Sequence, residues 1–564
     1  MLGLDLGTSE VRALLVDAQT GRALGTAASG FEHGDDGVIT SPLDPHLARQ
    51  HPADYIAALP LAVNAAMQAA ARDHGVSPRD VRAIGVDATG STPIPVDRTN
   101  TPLGMLPRYA NAAEPDALAW LWKDHTAHAE AAEIGALAAA QGRPYLSKCG
   151  GVYSSEWFWS KILRCHRVNP PVAAAAHAWV EQSDWIPSLL CGVTDPLKIK
   201  RGICAAGHKG LYHESWGGLP EASFLRELHP DLPRARETFA GPAVASDTLV
   251  GSLAPHVAAR LGLPVGVPVA AGAIDAHMGA VGSGCAPGTL VKIIGTSTCD
   301  CIAAPIVPGV DFPDIPGVCG IVPGSILPGH YGIEAGQSAV GDIFNWFVSK
   351  QLGRSGSHAA TTHARLTADA SRLVPGESGL LTLDWHNGNR TVLVDPRLTG
   401  LTLGQTLATT PAEMYRSLIE ATALGARMIV ERLGEHGVRI DRVVCCGGIA
   451  EKNPLLMQIY ADVLGMPMHI AASDQACALG AAVMASVAVG IHPDAIAAQR
   501  AMTGVKPLAY QPTPAAKATY DRLFALYRIM HDAMGLGRAA GIGEVMKELL
   551  RIQSHCRRRA GPQP

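Results

Sequence analysis

Short apolar stretches open the chain. Leu2-Gly3-Leu4 and Val11 to Val16 read as β-strands, and Asp5-Leu6-Gly7-Thr8-Ser9 between them reads as a polar turn. The same layout returns after residue 260, where Val269-Ala270-Ala271 and Leu290 to Ile294 are β-type runs and Gly295-Thr296-Ser297-Thr298 follows as a second turn rich in N–H and hydroxyl donors. Turns of this composition cradle phosphate. Each half also contains a long amphipathic segment. From Asp54 to His74, Ile56, Leu59, Val63 and Met67 fall at helical spacing, and Gly75 supplies the stop. Thr410-Pro411-Ala412-Glu413 is a capping box with proline at N1, and it opens a helix with Met414, Leu418, Ala421, Gly425, Met428 and Leu433 on one face. Each helix is followed by a strand that ends in glycine: Val81 to Val86 before Asp87-Ala88-Thr89-Gly90, and Val443 to Cys446 before Gly447-Gly448. The repeated order predicts an α/β protein built by internal duplication.

Other segments break the periodicity. Residues 118–166 are dense in aromatics, with Leu121-Trp122-Lys123-Asp124-His125 and Tyr153 to Lys161. They are expected either as an apolar wall for a sugar ring or as a helix core face with Lys161 at its edge. Cys204 to Gly210 and His213 to Gly218 read as pocket loops. Leu263-Pro264-Val265-Gly266-Val267-Pro268 marks a boundary, so the chain divides into 1–262, 263–510 and a terminal helix with a basic tail, 511–564. The Arg557-Arg558-Arg559 tail is expected to be solvated and disordered.

Composition narrows the class. With 564 residues, 47% hydrophobic content and a formal net charge of −4, the chain is long enough for two large cores and has no basic field for nucleic acid. The 12 cysteines contain no CxxC pair, Cys445-Cys446 lies in an apolar strand, and all read as reduced core thiols. No apolar run approaches the roughly 18 residues that span a bilayer, and the N-terminus lacks a signal-peptide pattern, so the expected location is the cytoplasm.

The chemistry follows from these turns. Phosphoryl transfer from a nucleotide needs donors around the phosphates, Mg²⁺ held by carboxylates and water, and a base at the acceptor hydroxyl. Asp5, Gly7, Thr8 and Ser9 offer phosphate and metal contacts from one half, and Gly295, Thr296 and Ser297 from the other. There is no GxxxxGK[ST] or protein-kinase motif set, so the nucleotide is expected between two domains. Asp275, the one acid between Val267 and the Gly295 turn, is the candidate base; Asp5 and Asp275 are the candidate metal carboxylates. His277 has no second ligand at a zinc-like spacing.

These residues together resemble the FGGY carbohydrate kinases: Asp5-Leu6-Gly7-Thr8, Asp275 in GAIDAHMGAVG, Gly295-Thr296-Ser297 and Gly447-Gly448. Within that family, TGSTP (89–93), LWKDHTA (121–127), GGVYSSEWFWSKI (150–162), AGHK (206–209), HESWGGLP (213–220), EAGQSAVGDIF (334–344) and LDWHNGNR (383–390) are similar to the branch acting on ketopentoses. The resemblance covers nearly the whole chain. It implies a two-domain actin/Hsp70-like (ribonuclease H-like) ATPase fold with an interdomain cleft. It also implies ATP- and Mg²⁺-dependent phosphorylation of L-ribulose to L-ribulose 5-phosphate in L-arabinose breakdown, with another ketopentose or polyol (D-ribulose, xylulose, ribitol) as the alternative acceptor. By motif it places Gly90, Lys209, Asp275 and Glu334 around a small-molecule sugar, and Gly295, Thr296, Gly341, Asn345, Gly448 and Asn453 at ATP. The expected assembly is a homodimer with no nucleic-acid or membrane partner. A non-catalytic actin-like ATPase or sugar sensor would lack a base at 275 and carry an added binding module, and neither fits.

Overall fold

The structure, a computed structural model, describes residues 1–109, 114–538 and 540–560. The chain divides into two compact units. The first comprises Met1–Ala286, Cys301–Ile333 and Ala472–Gly504; the second comprises Pro287–Asp300, Glu334–Ala471 and Val505–Pro564. Residues 263–286, with Asp275, and residues 301–333 and 472–504 therefore pack with the first unit, although the division expected from the sequence put them all in 263–510.

The first unit is built on one mixed sheet. Its order is Ala23–Gly30, Glu10–Val16, Leu2–Leu6, Ile84–Ala88, Pro268–Ala270 and Leu249–Ser252, with Ala273–Ile274 also paired to Ile84–Ala88. Leu2–Leu6, Ile84–Ala88, Pro268–Ala270 and Ala273–Ile274 are mutually parallel, so their carboxyl ends share one edge. Leu2, Leu4 and Leu6 pack with Tyr55, Ala58, Leu59, Ala62 and Ala66 of the helix Pro52–His74. That helix begins two residues earlier than its spacing predicted, because the His51 side chain accepts from Ala53 N at 3.2 Å; it ends as expected at Gly75, in the left-handed region at φ 67°.

The opposite face follows from side-chain alternation. Gly3 and Gly85 point away from that leucine core, and the alanine-rich helix Ala476–Ala488 lies directly on them. A Cβ at Gly3 would sit 1.8 Å from Ala478 O, and one at Gly85 would sit 1.9 Å from Ala481 O. The helix Asp275–Gly282 joins the same layer through two more glycines: a Cβ on Gly282 would lie 1.9 Å from Ala476 O, and one on Gly480 1.9 Å from Met278 O. These four positions hold helix backbone against strand and helix backbone.

In the second unit Gly288–Ile294, Ile440–Cys446 and Met468–Ala471 are parallel neighbours, and Val505–Tyr510 pairs antiparallel with Met468–Ala471. The capping box at Thr410 forms as expected, with Thr410 Oγ1 accepting from Glu413 N and opening the helix Pro411–Glu435. Asn453 caps Pro454–Leu464 by accepting from Leu456 N at 3.0 Å.

Two expectations change. Cys204 to Gly210 is not a loop: Ile203–Gly210 is a helix with Cys204, Ala205, Ala206, His208, Lys209 and Gly210 buried, since its alanine-rich sequence propagates helix despite the glycines. The basic tail is not disordered at the backbone through Ala560, where it continues the helix Val545–Ala560; residues 561–564 lie outside the described residues. Among the described residues no cysteine forms a disulfide, and no helix is long and apolar enough to cross a membrane.

The glycine layer makes a direct prediction. Gly85→Ala forces the alanine helix off its strand and is expected to destabilise the first unit by about 3 kcal/mol. Gly135→Ala, in a helix with nothing within 4 Å of the added methyl, is expected to be neutral or stabilising by under about 1 kcal/mol. Thermal unfolding of the two variants side by side checks this.

Candidate active site

In the first unit the candidate residues gather at the carboxyl ends of the parallel strands, where open α/β sheets bind ligands. Asp5 is the penultimate residue of its strand and is 3% exposed. Its carboxylate meets Arg12 at 3.2 Å, and Arg12 is held in turn by Glu10. Burial raises the proton affinity of Asp5, and Arg12 partly offsets this. The following turn is closed by Gly7 N donating to Glu10 O at 3.0 Å. Thr8 is fixed on two sides, its carbonyl accepting from Gln50 Nε2 at 2.7 Å and its hydroxyl from Trp122 Nε1 at 3.0 Å. Ser9 lies half-exposed beside it.

Asp275 is the first residue of its helix, directly after the short strand Ala273–Ile274, and Oδ1 accepts from Ala276 N at 2.7 Å. Desolvation, reinforced by the charge on Asp5, pushes its carboxyl up to about 7; the Ala276 N–H, His277 and Lys209 pull it the other way. A helix N-terminus favours the anion, so burial outweighs the helix dipole here. Gly90 ends the neighbouring strand, and a Cβ there would press on Ile274 at 2.6 Å, the residue before Asp275. Glu181 and Lys161 hold the loop after Gly90. Glu181 accepts from the Ser91 hydroxyl and, at 2.7 Å, from Thr92 N; Lys161 donates to Ser91 O and Leu121 O, both at 2.8 Å. Lys161 is therefore buried and not a snorkelling edge residue.

The aromatic segment is not an exposed sugar wall. Tyr153, Trp157, Phe158 and Trp159 are each at most 5% exposed and belong to one core cluster. Their polar ends support Lys209. Tyr153 Oη donates to Lys209 O at 2.7 Å, Trp159 Nε1 to Gly210 O at 2.7 Å, and Lys209 Nζ lies 5.5 Å from the Trp157 ring centroid. The reason is composition: with three indole or phenol rings in seven residues, burial is favoured over exposure. The segment from His213 does border a cavity of about 170 Å³, with Tyr212, His213 and Glu214 in its wall.

The second unit carries the other set. Gly295 N donates to Ser297 O at 2.9 Å, the counterpart of the Gly7 to Glu10 bond, and Thr296 is exposed at the tip. Gly341 N donates to Gly295 O at 3.1 Å, and a Cβ on Gly341 would be 2.7 Å from that oxygen, so glycine is needed for the approach. Asn345 lies one turn along the helix Gly341–Trp346, exposed, its Oδ1 3.1 Å from His363 Nε2. Gly447 has φ 99°, which positions the exposed Gly448 backbone with nothing within 4 Å of an added Cβ. The strands flanking the turn are tied by Lys292, whose Nζ meets both Asp300 oxygens at 2.8 and 2.9 Å in full burial. Glu334 is buried on the strand His330–Ala335, and it belongs to the second unit while Gly90, Lys209 and Asp275 belong to the first.

One acid was not anticipated. Asp87 lies in strand register with Asp5, is fully buried, and among the described residues no N–H or hydroxyl donates to its oxygens, which meet the Asp5 carboxyl. The signal available in the sequence was an aspartate shortly before the glycine that follows each of two strands, two residues before Gly7 and three before Gly90; it became visible only once the register was known. Carboxylate oxygens are the hard donors that Mg²⁺ takes, so Asp5 and its surroundings fit a divalent cation.

Strand-end carboxylates in one unit, with that of Asp275 raised to about 7, and an open glycine-lined backbone beside a hydroxyl turn in the other are features that suit phosphoryl transfer in a mixed α/β protein. Residues 1–212 match the N-terminal domain and residues 290–489 the C-terminal domain of the FGGY family of carbohydrate kinases, and the chain belongs to that family. It is 40% identical over 549 residues to the ribulokinase of Vibrio parahaemolyticus serotype O3:K6, covering 95% of this chain and 96% of that one. It is 40% identical over 574 residues to the ribulokinase of Mycolicibacterium smegmatis, covering 99% and 97%. Among solved structures it is similar to xylulose kinase from Rhodospirillum rubrum, with a TM-score of 0.77 and 23% identity over 95% of this chain and 99% of that one. The fold is thus the two-domain actin/Hsp70-like ATPase fold, and the chain is a sugar kinase that uses ATP with Mg²⁺.

Removing one member of the Lys292–Asp300 pair strands a buried charge beneath the Gly295 turn. Lys292→Met is expected to destabilise the second unit by about 3–5 kcal/mol, while the double variant Lys292→Met/Asp300→Leu regains most of that loss. A double-mutant cycle by denaturant unfolding checks it.

Proposed function

We propose that the protein transfers the γ-phosphoryl group of ATP to L-ribulose, giving L-ribulose 5-phosphate and ADP. The observation that carries the chemistry is Asp275. A carboxyl at a strand end with its proton affinity raised to about 7 can take a hydroxyl proton near neutral pH, where an ordinary aspartate, near 3.8, is a much weaker base. The acceptor sugar is supported by the near full-length likeness to ribulokinases.

In this reading Asp275 accepts the proton of the attacking hydroxyl. Lys209, buried against Trp157 and anchored through its carbonyl by Tyr153, orients the ketopentose together with Gly90 and Glu334. The Gly295 and Thr296 turn, Gly341, Asn345, Gly448 and Asn453 bind the nucleotide. Of these, Asn453 uses Oδ1 as a helix cap, which leaves its amide nitrogen to donate. Thr8 and Ser9 present hydroxyls to the phosphates, and Asp5 and Asp275 are the carboxylates toward the cation. Bound Mg²⁺ neutralises charge on the transferring phosphates. The finer location we infer is the reducing cytoplasm, supported by the 12 cysteines, none of which is in a disulfide among the described residues.

Three measurements test the reading. ADP release with Mg·ATP against L-ribulose, D-ribulose, D-xylulose, ribitol and glycerol should give the highest kcat/KM on L-ribulose; a clear preference for D-xylulose or glycerol would overturn the sugar assignment. Asp275→Asn should bind ATP and fold normally while turnover falls at least about a hundredfold. Because Asp275 must be ionised to act, kcat/KM should decline as pH is lowered through about 7, and the Asp275→Asn variant should lack that limb.

A further inference from the structure

Asp87 has no part in the mechanism above, yet its surroundings are those of a working carboxylate. Asp5 and Asp87 are partners in a parallel register, two residues beyond the Gly3 and Gly85 pair on the same sheet face. That face is covered by the alanine helix, whose backbone touches both glycines, so the two carboxylates come to its first turn. Oxygens of Asp5 and Asp87 and the Cys477 sulfur, the last on that first turn, lie within 4.8 Å of one another.

The charges in this corner do not balance. Asp5 is 3% and Asp87 0% exposed, and the charge of Asp275 also bears on Asp87. Among the described residues the cation in contact is Arg12, 3.2 Å from Asp5, with a side chain 39% exposed and shared with Glu10. Among the described residues no N–H or hydroxyl reaches either Asp87 oxygen, and its hydrogen-bonding neighbour is the Asp5 carboxyl itself. A buried anion without a donor persists only if a proton or a cation neutralises it. A structural acid retained for packing would be expected to accept backbone or side-chain N–H groups, as Asp184 does from Gly202 N at 2.7 Å and Glu181 does from Thr92 N. Asp87 instead faces another carboxyl, that of Asp5, at the carboxyl end of the parallel strands.

We infer that Asp87 is a further functional carboxylate of this site, which together with Asp5 holds the divalent cation that accompanies ATP. The inference rests on the reading of Asp5 as a cation carboxylate. Asp87 supplies hard oxygen donors and the second negative charge that makes a divalent ion a better occupant than a proton. Cys477, a soft and weaker ligand for such an ion, is a neighbour only.

The test uses Mn²⁺ as the probe, titrated into the full-length protein and followed by the loss of the free-ion EPR signal, with thermal unfolding in EDTA measured in parallel. Asp87→Asn is expected to weaken Mn²⁺ binding at least about tenfold and to raise the melting temperature in EDTA, because an amide replaces a donorless buried acid. Asp5→Asn is expected to weaken Mn²⁺ binding as well. If Asp87→Asn binds Mn²⁺ like the wild type while Asp5→Asn does not, Asp87 is a protonated structural acid; the inference fails and the reading of Asp5 stands. If both variants bind like the wild type, both fail. A lower melting temperature of Asp87→Asn in EDTA would make Asp87 a prop of the fold and also overturn the inference.

Discussion

The first unit depends on one contact: the backbone of the alanine helix Ala476–Ala488 resting on strands that have no side chain at Gly3 and Gly85. Close packing of this kind has no slack, since a single methyl would need space already taken by a carbonyl oxygen. It sets the height of the helix against the sheet, and with it the corner where Asp5 and Asp87 meet the first helical turn. The second glycine pair, Gly282 and Gly480, carries the same constraint to the helix that begins with Asp275. The acids of the site are therefore placed by glycines one or two turns away, and the chemistry inherits its precision from backbone contacts.

A second layer of support comes from aromatic residues. Tyr153 and Trp159 spend their polar atoms on the carbonyls of Lys209 and Gly210. Each buried ring thus satisfies its own donor and fixes the end of the helix that carries Lys209. Lys161 does the same for the loop after Gly90, with its ammonium donating to main-chain carbonyls. The aromatic residues expected as a sugar wall are instead core, and they hold the backbone around Lys209.

The second unit repeats the logic with different chemistry. Its hydroxyl turn at Gly295 to Ser297 is closed by the same kind of backbone bond as the turn at Gly7, but a buried ion pair, Lys292 with Asp300, braces the strands beneath it. Gly341 and Gly447 then bring main chain against that turn at distances that exclude a Cβ. The result is an open, N–H-rich backbone surface, suited to phosphate groups.

Much was legible from the sequence alone. The two strand–turn–strand devices and the helix caps at Gly75, Thr410 and Asn453 rest on local signals: periodicity, turn composition and capping chemistry act over a few residues and can be read there. What needed the tertiary structure was everything set by register and burial. Asp87 is unremarkable in sequence and gains meaning only because parallel pairing sets it beside Asp5. The aromatics near Trp157 could be wall or core until their exposure was known. The shift of Asp275 toward neutrality arises from desolvation and the charge of Asp5, some 270 positions away in sequence. The physical reason is one of range: hydrogen bonds in turns and caps are local, whereas desolvation and charge coupling act through space between residues that only folding brings together.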